Sequence, residues 1–112
     1  MKRKILKPRK TGEERKRNHK VSVEKKIKKY IKDGGKGDLD LRGTPVEKLP
    51  DNLEVGGSLF LEYTPIKELP DNLEVGGSLF LKYTPSSEEY SKEEIRNIIE
   101  GKGGYVKGYI IL

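Results

Sequence analysis

The chain has 112 residues, enough for one domain with a small core. Charged residues make up 38% of it and hydrophobic residues 32%, cysteine is absent, and no apolar run approaches the ~20 residues that span a bilayer. This composition excludes a disulfide framework and a thiolate metal site, and it predicts a cytoplasmic protein.

Most of the positive charge lies in the first 36 residues. They hold 16 Lys and Arg against four Asp and Glu, a balance of +12, whereas residues 37–112 hold eight against 14, a balance of −6. Residues 1–20 have no periodic apolar face, so we expect a basic arm that is disordered when free. Such tracts bind phosphates by releasing counterions. The predicted nucleic-acid-binding residues are Lys2, Arg3, Lys4, Lys7, Arg9, Lys10, Arg15, Lys16, Arg17 and Lys20.

The next segment, residues 22–33, predicts an amphipathic helix with a lysine-rich outer face. Its apolar residues are spaced at i, i+4, i+7 and i+8, and Gly34 stands where a helix commonly stops. We expect this helix to cap one end of a single domain, residues 21–112. The apolar residues of the helix are Val23, Ile27, Tyr30 and Ile31.

A 20-residue repeat then occupies residues 37–85. Two copies are nearly identical: LPDNLEVGGSLFLEYTP at 49–65 and LPDNLEVGGSLFLKYTP at 69–85. They differ only where Glu62 in the first copy corresponds to Lys82 in the second.

The same period extends in both directions. GDLDLRGTPVEKLP at 37–50 is a more distant copy, and VKGYIIL at 106–112 matches the part of the repeat that contains the alternating leucines. The pattern therefore occurs four times. The segment that connects the third copy to the fourth, residues 86–105, has a different sequence from the other connections.

Each copy predicts one short strand. The alternation in SLFL places Leu59 and Leu61 on one face and Phe60 on the other, and Leu53 and Val55 point inward where the chain returns. One unit cannot bury its leucines alone, but stacked units can. We expect four parallel strands in one sheet, near 38–42, 58–62, 78–82 and 108–112. The predicted inward residues are Leu39, Leu41, Leu59, Leu61, Leu79, Leu81, Ile110 and Leu112.

A second helix is predicted at residues 91–100, ahead of the last strand at 106–112. It opens with the capping box formed by Ser91 and Glu94, and we expect it to stop at Gly101. This helix would cap the other end of the stack. Its apolar stripe consists of Ile95, Ile98 and Ile99.

The segment LPDNLEVGGSLFLEYTPIKELP resembles the 20-residue leucine-rich repeats of bacterial effector proteins. It is more similar still to the leucine-rich-repeat-like arrays of phage and prophage proteins. The resemblance covers residues 37–85 and 106–112. It departs from the family at Thr64 and Thr84, which stand at the usual Asn position and whose hydroxyl groups can bond to backbone in the turn.

The resemblance implies an α/β fold. The expected architecture is a short leucine-rich-repeat-like solenoid with a small parallel sheet of about four strands, capped by an N-terminal and a C-terminal helix. It also implies a recognition surface, in a bacterial cell or an infected host cell. Fold alone does not name the partner.

Residues able to perform catalysis or hold a cofactor are sparse. His19 is the only histidine and lies in the charged arm, where solvation explains it. The glycine-rich segments at 33–38 and 100–105 lack the Ser or Thr that a phosphate-binding loop needs, because Gly37 and Gly103 stand in its place. The sequence therefore predicts no enzyme, no metal site and no cofactor.

The strand face opposite the leucines predicts a binding surface. Phe60 and Phe80 lie one repeat apart on it, with Tyr63 and Tyr83 in a neighbouring column. An aromatic column facing solvent implies a protein partner, a second copy of the chain, or cover by one of the chain's own helices. The predicted protein-binding residues are Asp40, Phe60, Glu62, Tyr63, Phe80, Lys82, Tyr83 and Ile111.

Two functions fit these features. The first is a non-enzymatic protein-recognition module with a cationic arm, such as a phage or prophage factor that binds and inhibits a host nucleic-acid-handling or defence protein. The alternative is a nucleic-acid-binding accessory protein in which the arm binds DNA or RNA and the solenoid is a scaffold. Self-association is compatible with both functions, and no membrane partner is expected. Deleting residues 1–20 separates the two, because partner binding survives only in the first.

Overall fold

The computed structural model of the chain describes residues 23–112. The predicted basic arm, with its candidate nucleic-acid-binding residues and His19, lies outside the described residues. The helices are α1 (23–32), α2 (Pro85–Glu89) and α3 (Lys92–Gly101). The strands are β1 (Leu39–Asp40), β2 (Glu54–Val55), β3 (Leu59–Phe60), β4 (Glu74–Val75), β5 (Leu79–Phe80), β6 (Tyr105–Val106) and β7 (Ile110–Ile111).

The strands form two small parallel sheets, one ordered β1-β3-β5-β7 and the other β2-β4-β6. In the larger sheet each strand pairs with the next repeat, so that Leu39 lies opposite Leu59 and Leu59 opposite Leu79. The last pair joins Leu79 to Ile110 across the inserted helices. The mixed α/β fold and the four-stranded parallel sheet are therefore confirmed, but each strand has two residues where about five were predicted.

The second sheet was not predicted. Its strands are two residues long, and in β2 and β4 a glutamate precedes the valine. One apolar residue gives no alternation from which a strand could be inferred. Only the expected inward direction of Leu53 and Val55 anticipated it, and both side chains are buried.

One cluster of buried side chains joins the two sheets. Leu59, Leu61, Leu79 and Leu81 have no solvent exposure, as the alternation predicted. Leu112 was predicted to point inward but is only half-buried against the core, because it follows β7, the edge strand of its sheet.

Helix α1 covers the β2 edge of the smaller sheet. Val23 and Ile27 are buried, and the Tyr30 hydroxyl lies 2.6 Å from the Gly37 carbonyl and accepts the Gly56 N–H at 3.1 Å. Ile31, predicted on the same apolar stripe, is 49% exposed. The side of α1 that carries Val23, Ile27 and Tyr30 packs against the rest of the domain, which leaves Ile31 outside the contact.

Helix α1 ends as the sequence predicts. Gly34 adopts a positive φ of 100°, a conformation that glycine reaches without the steric cost of a side chain. The next residues lead directly to the sheet, where Gly56 donates to the carbonyl of Gly35 at 2.8 Å.

Helices α2 and α3 replace the connection between the third and fourth repeats. The unpredicted α2 is five residues long, with Thr84 as its N-cap and Pro85 in its first turn. In α3 the predicted capping box forms, with Ser91 and Glu94 each bonding to the other's backbone N–H. Gly101 is the last helical residue rather than the stop, and the left-handed turn falls at Gly103.

Helix α3 packs against β6 and β7, the last strands of the two sheets. Ile95 and Ile99 are fully buried, and Ile98 is half-buried. The Arg96 guanidinium donates to the carbonyls of Val106 at 2.8 Å and Gly108 at 3.0 Å, which fixes the helix to β6 and to the turn after it. Among the helices of residues 23–112, none has the length and hydrophobicity that a membrane crossing requires.

Candidate protein-recognition face

The outer surface of the four-stranded sheet carries an aligned column of side chains. Strand pairing places Asp40 beside Phe60, Phe60 beside Phe80, and Phe80 beside Ile111. The two phenylalanine rings stack with centroids 4.6 Å apart and planes 12° from parallel. Both rings are half-buried, and neither belongs to the buried core cluster.

Two tyrosines extend this surface beyond the strand ends. Tyr63 and Tyr83 stack with centroids 4.7 Å apart and are 65% and 58% exposed. Both adopt a left-handed backbone with φ of 61°, and the equivalent position of the first repeat is Gly43. The left-handed conformation costs a residue with a Cβ roughly 1–2 kcal/mol. Two successive repeats therefore keep an exposed aromatic ring where glycine would be unstrained.

We call this surface the aromatic face. It is defined by the two aromatic stacks, by the residues that end the phenylalanine column, and by the charged residues beside them. Its members are Asp40, Arg42, Phe60, Glu62, Tyr63, Phe80, Lys82, Tyr83 and Ile111.

An ion pair closes one end of the phenylalanine stack. Arg42 donates to Asp40 through Nε at 2.9 Å and through Nη2 at 2.7 Å. The same guanidinium lies 5.1 Å from the centroid of the Phe60 ring, within cation–π range. The hydrogen bonds from Arg42 are the main reason that the pKa of Asp40 falls to about 2. Arg42 was not predicted to belong to this surface.

The sequence could have revealed Arg42. Positions 42, 62 and 82 are equivalent in three successive repeats and carry Arg, Glu and Lys. The contrast between Glu62 and Lys82 in the second and third copies does not by itself point to position 42, because the first copy is more distant.

The glutamate of this charged column lacks a partner among the described residues. The ion pairs within residues 23–112 join Lys29 to Asp33 and Arg42 to Asp40, so Glu62 and Lys82 form no ion pair with any of these residues. The Lys82 ammonium instead lies 5.8 Å from the centroid of Tyr83. Glu62 Oε1 is buried and receives no hydrogen bond from the described chain. Buried polar atoms without a partner are uncommon, so this atom indicates that a donor is missing.

A ladder of side chain to backbone hydrogen bonds fixes the register of the face. Ser58 N–H donates to Asp38 at 2.8 Å, Ser78 N–H to the Ser58 hydroxyl at 3.1 Å, and Tyr109 N–H to the Ser78 hydroxyl at 3.0 Å. Each bond links one repeat to the next. The outer columns are therefore held in line although the strands are only two residues long.

Threonines fix the turns beside the tyrosines. The hydroxyls of Thr44, Thr64 and Thr84 each donate at 2.7 Å to the carbonyl three residues earlier. The prediction that Thr64 and Thr84 bond to backbone in the turn is confirmed.

The structure brings the eight residues predicted for protein binding to one side of the larger sheet. The face offers aromatic area and separated charges of both signs. Residues 23–112 contain no group of three or more His, Cys, Asp or Glu side chains arranged to hold a metal ion. Comparison of the chain with protein-family models, with curated proteins and with solved structures gives no match.

Proposed function

We propose that the chain is a short leucine-rich-repeat-like solenoid that recognises a protein through its aromatic face. In the first two strand pairs of the larger sheet, paired residues are 20 positions apart, which is the length of one repeat. Each of the two repeats within residues 49–80 contributes one strand to each sheet. Helices α1 and α3 cover the two ends. This arrangement supports a stack of coils in which each repeat supplies core to the next.

The observation that carries the proposal is the strained tyrosine pair. Tyr63 and Tyr83 contribute little to the core, since both are more than half exposed, yet each keeps an unfavourable backbone conformation. Strain of this kind concentrates at binding and catalytic sites. Tyrosine, phenylalanine and arginine are also enriched at protein interfaces, and all three lie on this face.

We further propose that the partner class is a host protein that handles nucleic acid, which a phage or prophage factor would inhibit. The likeness of the repeats to phage arrays supports this, as does the +12 balance of residues 1–36. A cationic arm beside a binding face would speed encounter with a protein that already carries DNA or RNA.

Photo-crosslinking tests the recognition surface directly. A photoreactive phenylalanine analogue replaces Tyr83 in one variant and the exposed Lys67 in a control variant, and both are irradiated in nuclease-treated bacterial lysate. We expect a discrete protein adduct from position 83 and none from position 67. Equal diffuse labelling at both positions would contradict a specific recognition face.

A second candidate function is nucleic-acid binding, which one observation on α1 favours. Five lysines of this helix are exposed, and within residues 23–112 only Lys29 among them forms an ion pair. They would extend the cationic arm onto the folded domain. The five residues are Lys25, Lys26, Lys28, Lys29 and Lys32.

Salt titration of binding to a DNA or RNA oligonucleotide tests this candidate. We expect affinity to fall steeply with salt and to show little sequence preference, since phosphate contacts dominate. Substituting alanine in the arm should remove most of the binding. Undetectable binding at low salt would rule the candidate out. The six substituted residues are Lys2, Arg3, Lys4, Arg9, Arg15 and Arg17.

A further inference from the structure

The two nearly identical repeats differ on the aromatic face by one reversal of charge. Glu62 and Lys82 occupy equivalent positions on adjacent strands, in repeats that otherwise match from Leu49 to Pro65 and from Leu69 to Pro85. Everything else in this pair of repeats is therefore duplicated, including Phe60 with Phe80 and Tyr63 with Tyr83.

This arrangement is self-complementary under a two-fold axis. Consider an axis that runs parallel to the strands, midway between β3 and β5 and above the face. It places β3 of one copy against β5 of the other, at the same height along the strand. Phe60 then meets Phe80 of the second copy, and Glu62 meets Lys82 of the second copy. Symmetry repeats both contacts, as in any isologous interface.

We propose that the aromatic face also binds a second copy of this chain when no host protein occupies it. The two copies pack face to face, and Glu62 of each binds Lys82 of the other. This inference rests on the proposed function, because it assigns a second occupant to the same face.

The unpaired charges support this occupant. Neither Glu62 nor Lys82 forms an ion pair within residues 23–112; the Glu62 side chain is half-buried and that of Lys82 is exposed. The symmetric arrangement supplies each group with the other. It also places aromatic stack against aromatic stack, where apolar area and ring contacts stabilise association.

The size of the aromatic face determines how strongly we expect the two copies to associate. Four strands at about 4.8 Å spacing span only about 15–20 Å. A face of this width buries well below the ~1,600 Å² of a standard-size protein interface. We therefore expect a dimer that forms with a Kd of about 10 μM to 1 mM and dissociates on dilution.

Charge reversal at the two positions provides the test, in the full chain. In E62K, the copies would present lysine against lysine, and in K82E glutamate against glutamate. The double variant E62K/K82E restores both pairs with their signs exchanged. A mixture of E62K and K82E also restores them, because one copy then carries two lysines and the other two glutamates.

Sedimentation equilibrium over a concentration series measures the outcome. The wild type, the double variant and the mixture should approach twice the 12.7 kDa monomer mass, while each single variant alone should associate at least about tenfold more weakly. Thermal unfolding of every variant confirms that folding is unchanged.

Two results would overturn the inference. One is a wild type that stays monomeric at about 1 mM, the upper limit of the expected range. The other is a dimer that single charge reversals leave unchanged. In either case, crosslinking from position 83 would still decide whether the face recognises a different protein. The failure of this inference is therefore distinct from that of the proposed function.

Discussion

Tyr63 and Tyr83 are the residues on which the proposed function chiefly rests. The left-handed turn after each strand is satisfied by Gly43 in the first repeat, so the fold itself does not require a side chain there. The stacked rings recover part of the backbone cost, because an aromatic pair contributes about 0.5–1.5 kcal/mol beyond its buried area. Part of the strain remains, because two residues each carry the backbone cost and share a single aromatic pair.

Substitution at Tyr63 separates strain from stacking. Tyr63→Gly and Tyr63→Ala both remove the ring, but only glycine relieves the left-handed backbone. We expect the glycine variant to be more stable than the alanine variant by about 1 kcal/mol in urea denaturation. Equal stabilities would show that the turn is not strained.

Asp40 gives a prediction that depends on pH. Its pKa of about 2 lies below the ordinary 3.8, chiefly because Arg42 donates to the carboxylate. The stabilisation from this pair is therefore fully present above pH 3.8 and is lost as the pH falls through about 2. In an NMR titration, Arg42→Met should move the pKa of Asp40 upward toward 3.8. A carboxyl that titrates at the same pH in both proteins would contradict the ion pair.

At the scale of elements, close backbone contact is what allows strands of two residues to stack. A Cβ added at Gly77 would lie 2.9 Å from the Gly57 carbonyl carbon and 3.0 Å from its oxygen. These glycines precede the strands of the larger sheet. Their lack of a side chain allows adjacent repeats to hydrogen-bond there, with Gly77 donating to Gly57 at 2.8 Å.

A pair of glycine substitutions tests this contact. Gly77→Ala should lower the free energy of unfolding by about 1–3 kcal/mol, because the neighbouring backbone must move. Gly101→Ala is the control: a Cβ there meets no atom within 4 Å, and alanine in a helix is favoured over glycine by about 0.5–1 kcal/mol. Similar destabilisation by both changes would contradict the close-contact explanation. Chemical denaturation measures both.

The elements also show what the sequence could predict. The strands at 59–60 and 79–80 carry alternation bounded by glycine and proline, so both their existence and their inward leucines were predictable. Helix α2 has the sequence PSSEE, which has no apolar periodicity from which a helix could be predicted. The buried Glu62 oxygen depends on three-dimensional packing, which the repeat pattern does not encode.

At the scale of the whole molecule, buried leucines and outward aromatics divide between two faces of one sheet. Leu59 and Leu61 build the core, whereas Phe60 between them stacks on Phe80 at the outer surface. We propose that the outer face serves recognition, whereas the inner face serves folding. The two roles should therefore be separable by mutation.

The most direct test compares Phe60→Ala/Phe80→Ala with Leu61→Ala, each carrying the photoreactive residue at position 83. The free energy of unfolding and the yield of adducts from that position, to a second copy or any other protein, are measured on the same samples. Leu61→Ala should cost about 2–5 kcal/mol of stability. The phenylalanine variant should lose less stability but lose its adducts. A phenylalanine variant that unfolds as readily as Leu61→Ala, or that keeps its adducts, would contradict this division of roles between the two faces.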